Sequence, residues 1–114
     1  MKKFLVLYLS SVSASEQMSK VSPEQMKAGM DAWMAWAKKA GNAIVDLGSP
    51  LGNPFKVVDG SRAPSDGKVS GFSILQAESA KAIEGLLKGH PHFKAPGASI
   101  EVLEFLPMPG MAKP

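Results

Sequence analysis

The chain has no cysteine among its 114 residues, one arginine, one tyrosine and two histidines. Without cysteine there is no disulfide framework, no thiolate nucleophile and no thiolate metal site. Twelve of the thirteen basic residues are lysine, so Arg62 is the one guanidinium for bidentate phosphate recognition. The net charge is only +3, and no basic run is interleaved with aromatics, which argues against nucleic-acid binding. No apolar run approaches the ~20 residues of a membrane span. There is no Ser/His/Asp elbow, phosphate-binding glycine loop or cofactor fingerprint, and no cofactor is expected. Histidine is the side chain whose unperturbed pKa lies near neutrality, so acid–base chemistry falls to His90 and His92.

What is present is ordinary for one small globular domain, with 45% hydrophobic and 20% charged residues. Residues 1–107 read as that domain. Pro107, Pro109 and Gly110 oppose regular structure, so 108–114 read as an extended tail. Lys2-Lys3 followed by Phe4 to Leu9 imitates a short secretory signal. Six consecutive residues of Phe, Leu, Val and Tyr also suit a central strand, and the chain has few other strands to spare. The strand reading is preferred, and with it a cytoplasmic location. Ser10 to Val21 reads as a loop, with a turn of helix around Glu16 to Met18.

Ser22 is placed as an N-cap, Pro23 as the first helical residue and Gln25 as the reciprocal partner of a capping box. Gly41 ends that helix. Met26, Met30, Trp33, Met34 and Ala37 form its apolar stripe, read as core in preference to a ligand box. Ala43 to Gly48 reads as a strand interrupted by Asp46. Phe55 to Val58 reads as a short edge strand before an Asp59-Gly60 turn. Ser61 to Lys68 reads as a polar loop with a second turn at Asp66-Gly67. Val69 to Gln76 is a strand, Ser79 to Lys88 a helix stopped by Gly89, and Ile100 to Leu106 the last strand.

The order β-α-β-β-α-β predicts an α+β ferredoxin-like fold, with both helices on one face of an antiparallel sheet. Alternation along the strands leaves one choice of faces. The expectation sends Leu5, Leu7, Leu9, Val45, Leu47, Phe72 and Ile74 to the helices. Phe4, Val6, Tyr8, Asp46, Gly71 and Ser73 then face away. Such a face is too apolar to stay wet, so a homodimer packed sheet to sheet is expected. Tyr8, Val6, Ser73 and Gly71 would line a pocket between the sheets for a small apolar or aromatic ligand.

Several stretches carry a family resemblance. They are Lys-Lys-Phe-Leu-Val-Leu-Tyr at 2–8, Ser-Pro-Glu-Gln-Met-Lys-Ala-Gly-Met-Asp-Ala-Trp at 22–33 and Ile-Val-Asp-Leu-Gly-Ser-Pro-Leu-Gly at 44–52. Gly-Phe-Ser-Ile-Leu-Gln-Ala-Glu-Ser at 71–79, Gly-His-Pro-His at 89–92 and Pro-Gly-Ala-Ser-Ile-Glu-Val at 96–102 complete it. Over nearly its whole length the chain resembles the YCII-related family of the dimeric α/β-barrel superfamily. The resemblance implies a ferredoxin-like fold, dimers that join two sheets into a barrel, and a catalytic His–Asp pair. It is to a bacterial branch and implies no substrate. The Asp-Gly-Pro-Phe motif of another large branch is absent; Ser65-Asp66-Gly67-Lys68 stands near its place, so nothing is carried over from that branch.

His90 and His92 have three readings. In the first, His90 caps helix carbonyls and His92 packs beside Phe93 at the surface. In the second, one of them enters the cavity and is oriented by Asp46 as a general base. In the third, His-x-His with Asp46, Glu101 or Glu104 holds a metal. Two-residue spacing is weak support for the last, and no metal is expected. Two function classes follow: a small-molecule isomerase, lyase or hydrolase using His92, Asp46 and His90, or a non-catalytic dimeric ligand-binding module.

Overall fold

β1 (Lys2–Leu9), β2 (Ile44–Pro50), β5 (Val69–Ala77) and β6 (Ser99–Glu104) form a sheet in the order β2-β5-β1-β6. Every neighbouring pair is antiparallel. Helix α1 (Pro23–Ala40) connects β1 to β2, and α2 (Ala80–Leu87) connects β5 to β6. This is the ferredoxin-like α+β arrangement that the element order implies. The computed structural model describes residues 1–12, 16, 19–65 and 67–108. The expected helical turn reaching Met18, Asp66 of the second turn and the tail from 109 onward lie outside the described residues.

Local chemistry explains where α1 begins and ends. The Ser22 hydroxyl accepts from the Gln25 N–H at 3.1 Å, and the Gln25 side-chain oxygen accepts from the Ser22 N–H at 2.9 Å. Two donors orphaned at the helix start are thereby satisfied. Gly41, at φ +55°, ends the helix. The expected stripe is only partly core. Trp36 and Ala40 are buried and Trp33 and Ala37 pack beside them, whereas Met26, Met30 and Met34 are about half exposed. The core face is rotated toward the helix C-terminus, where the Trp36 indole N–H donates to the Leu86 carbonyl of α2 at 2.9 Å.

On β1 and β5 the two faces are reversed from the expectation, whereas on β2 Leu47 packs against the core under the helices, as expected. Phe4, Val6 and Tyr8 lie buried under the helices with Leu75, Ile83 and Leu87. Leu5, Leu7 and Leu9 lie on the open face. Cross-strand pairing supplies the physical reason. Under the helices two of the three β1 residues meet small ones of β5, Val6 opposite Ser73 and Tyr8 opposite Gly71, while Phe4 meets Leu75. The Tyr8 ring rests on Gly71, where an added Cβ would sit 3.5 Å from its Cδ2. On the other face Leu5 meets Ile74 and Leu7 meets Phe72, large against large. That is a broad apolar slab rather than a surface with room for aromatic side chains.

Strand β2 is irregular. Its register with β5 shifts on either side of Asp46. Gly48 has φ +87°, and a Cβ there would overlap the Phe72 carbonyl. The Asp46 carboxylate accepts from the Gly48 N–H at 2.8 Å. A short polar side chain bonding backbone two residues on is a turn-forming device, and here it closes a bulge.

The segment after β2 departs from expectation. β3 (Phe55–Val58) does not extend the main sheet. It pairs with β4 (Ser61–Pro64), a stretch whose composition predicts loop, in a separate hairpin. Asp59 and Gly60 both have positive φ, +54° and +82°, as a two-residue type I′ turn requires. Arg62 lies 4.2 Å over the Phe55 ring. Among the described residues no helix is long and apolar enough to cross a membrane.

Candidate functional site

The site is built on the turn after α2. Gly89, at φ +71°, redirects the chain. A 3-10 turn follows over Pro91–Lys94, and the His90 ring caps it, with Nδ1 accepting from the His92 N–H at 3.0 Å. The ring is buried among Tyr8, Trp33 and Trp36, with centroids 5.0, 4.5 and 4.4 Å away. Because Nδ1 accepts, the neutral ring carries its proton on Nε2. Among the described residues that buried nitrogen has no hydrogen-bond partner. Burial, with a smaller contribution from His92, lowers the His90 pKa from 6.5 to about 4.

This has a measurable consequence. Between about pH 6.5 and about pH 4 the unfolded chain binds a proton at His90 that the folded chain does not. Stability therefore falls as the pH drops through that window, by about 3 kcal/mol at most. Urea unfolding at stepped pH should show the slope. In His90→Leu that contribution to the slope should vanish, whatever the variant's stability at pH 7. An unchanged acid limb would overturn the buried neutral state.

His92 is also buried, with Nε2 at 2.8 Å from the Leu9 carbonyl and 3.1 Å from the Ser99 carbonyl. Both partners are acceptors, so Nε2 carries the proton. In the neutral ring Nδ1 is then the nitrogen with the free lone pair. His92 lines a cavity of about 430 Å³ between α1 and the sheet, walled by Tyr8, Met30, Trp33, Met34, Leu47 and Gly71 among others. The Tyr8 phenol donates to the Ser73 hydroxyl at 2.8 Å, and Ser73 donates to the Leu47 carbonyl at 2.6 Å. Burial raises the Tyr8 pKa, although the bond to Ser73 opposes it, so the phenol stays protonated.

The structure brings Tyr8, Gly71 and His92 together at this cavity. It lies within one chain, on the helix side of the sheet, and not between two sheets as expected. Val6 and Ser73 are wholly buried and form no part of its wall; Ser73 acts only through the Tyr8 hydroxyl. His90 stands beside His92 and fixes its backbone. Asp46 is not brought to either histidine. It is exposed on strand β2, its register partner is the open-face residue Ile74, and its carboxylate is engaged by Gly48. The capping and surface readings are also corrected: the His90 ring accepts from an N–H instead of capping carbonyls, and His92 is buried. Among the described residues no group of three His, Asp or Glu side chains could hold a metal ion.

Trp33, Met30, Met34 and Ser70 also line the cavity, although the Met/Trp stripe reads as core in preference to a ligand box and Ser70 has no assigned role. The signal lies in Met30 and Met34 of the stripe, apolar residues that stay about half exposed beside a core face centred on Trp36 and Ala40.

No family model and no curated protein matches the chain. Among solved structures it is similar to a 5-chloro-2-hydroxyhydroquinone dehydrochlorinase from Burkholderia phenoliruptrix, determined in complex with 2,5-dihydroxybenzoquinone. The identity is 19%, over 87% of this chain and 90% of that one, with a TM-score of 0.49. Likeness at that level transfers no activity.

Proposed function

We propose that this chain is a YCII-related, homodimeric small-molecule enzyme in which His92 acts as a general base on an apolar or aromatic substrate held between α1 and the sheet. The observation that carries the reading is the clamp on His92. Two backbone carbonyls hold its Nε2 proton and orient the ring, the task a carboxylate performs in a His–Asp pair. The other nitrogen is left basic in a residue that lines the cavity. Asp46 supports the site at a distance, by closing the bulge at Gly48, a wall residue. The open face of Leu5, Leu7, Phe72, Ile74 and Leu103 supports the dimer. Loss of β1 as a cleaved signal would remove a central strand, and the reading keeps the protein in the cytoplasm.

Solvent-deuterium exchange into a panel of small aromatic and carbonyl compounds tests this by proton NMR. The wild type should accelerate exchange of an acidic hydrogen on at least one compound. His92→Gln, whose amide still donates to the two carbonyls, should lose ~100-fold or more of that acceleration. Binding without any acceleration would instead establish a non-catalytic ligand-binding module. One observation favours that second reading: among the described residues, the one titratable side chain in the wall apart from His92 is Tyr8, whose proton is already held by Ser73.

A further inference from the structure

The polar groups of the cavity narrow what it takes, given the reading that it is the ligand site. Among the described residues no Lys, Arg, Asp or Glu side chain lines it. A carboxylate or phosphate would lose its hydration there without a counter-ion, and so would an ammonium group. The hydroxyl protons in the wall are spent within the chain. Ser70 donates to the Tyr8 carbonyl at 3.1 Å, Ser49 to the Pro50 carbonyl at 2.8 Å, and Tyr8 to Ser73. With Nε2–H held by Leu9 and Ser99, what the His92 ring can offer a ligand is an acceptor, Nδ1. The rest of the wall is aromatic, thioether, leucine, proline and glycine surface, which suits a flat ring, with the Trp33 indole N–H as a further polar group. About 430 Å³ lies in the range of small-molecule sites and fits a one- or two-ring compound.

We propose that the cavity selects an uncharged, flat aromatic molecule bearing a weakly acidic hydroxyl, which donates its proton to Nδ1 of His92. The same ring carrying a carboxylate or an ammonium group is rejected, and so is the same ring with the hydroxyl capped.

Four probes with one ring system test it at pH 8: 2-naphthol, 2-methoxynaphthalene, naphthalene-2-carboxylate and 2-naphthylmethylammonium. Affinities come from NMR titration of the Trp33 indole and His92 ring resonances of the full chain. The expected result is that 2-naphthol binds about tenfold or more tightly than each of the others. In the wild type its addition should shift the His92 Nδ1 nitrogen upfield and leave Nε2 nearly unmoved, a readout that needs no variant. If the carboxylate or the ammonium compound binds as tightly through the same resonances, the proposal is overturned while the cavity stands as a ligand site. If the methoxy compound matches 2-naphthol, the hydrogen bond to Nδ1 is overturned. If no probe moves either residue, the proposal falls together with the site reading.

Discussion

Replacing Gly48 by alanine should cost more than about 3 kcal/mol of unfolding free energy. Two effects add. An L-residue at φ +87° is strained wherever it stands. The new Cβ would also overlap the Phe72 carbonyl, a backbone atom of β5 that no rotamer change can move. Relief requires β2 to leave β5 between Asp46 and Ser49, which opens the cavity wall as well. Gly29, inside α1 with nothing within 4 Å of the place a methyl group would take, is the matched control. Gly29→Ala should stabilise by up to about 1 kcal/mol, since alanine is the better helix former. Urea midpoints with an unchanged slope measure both. A Gly48→Ala cost below about 1 kcal/mol would show that the bulge does not hold the two strands this closely.

The second large effect concerns the open sheet face. Light scattering on a sizing column should give about twice the 12.0 kDa chain mass for the wild type. Leu7→Lys should give a single-chain mass at micromolar concentration. Leu7 lies on the open face of a central strand, opposite Phe72 and beside Leu5 and Ile74 in register. In one chain its side chain is only half-buried, so a lysine there can reach water and the fold survives. Against a second sheet about 10 Å away it would be stranded. A two-fold interface carries every substitution twice. Two buried ammonium groups at about 2 kcal/mol or more each raise the dissociation constant about 1,000-fold. A wild type that runs as one chain, or a Leu7→Lys variant that stays dimeric, would remove the sheet-to-sheet dimer.

The element order and most element ends are written in short stretches of sequence, because caps and turns are satisfied by neighbours along the chain. Ser22, Pro23 and Gln25 start α1, Ser79 starts α2, and Asp59-Gly60 makes the hairpin turn, though the strand that answers it has the composition of a loop. His90 and His92 stand out in the sequence as the side chains whose unperturbed pKa lies near neutrality, but that the fold buries both does not. Three matters were decided by tertiary structure. The first is which face of β1 meets the helices: both alternate rows are apolar, so periodicity cannot choose, and the choice follows from the small partners Ser73 and Gly71 on another strand. The second is the task of Asp46. A carboxylate in a strand reads as functional until the positive φ at Gly48 shows a bulge for it to close. The third is what orients His92. The two carbonyls that do so belong to Leu9 and Ser99, the first of them 83 positions away. Backbone acceptors exist at every residue and leave no mark in an amino-acid sequence; only folding decides which two of them meet an imidazole.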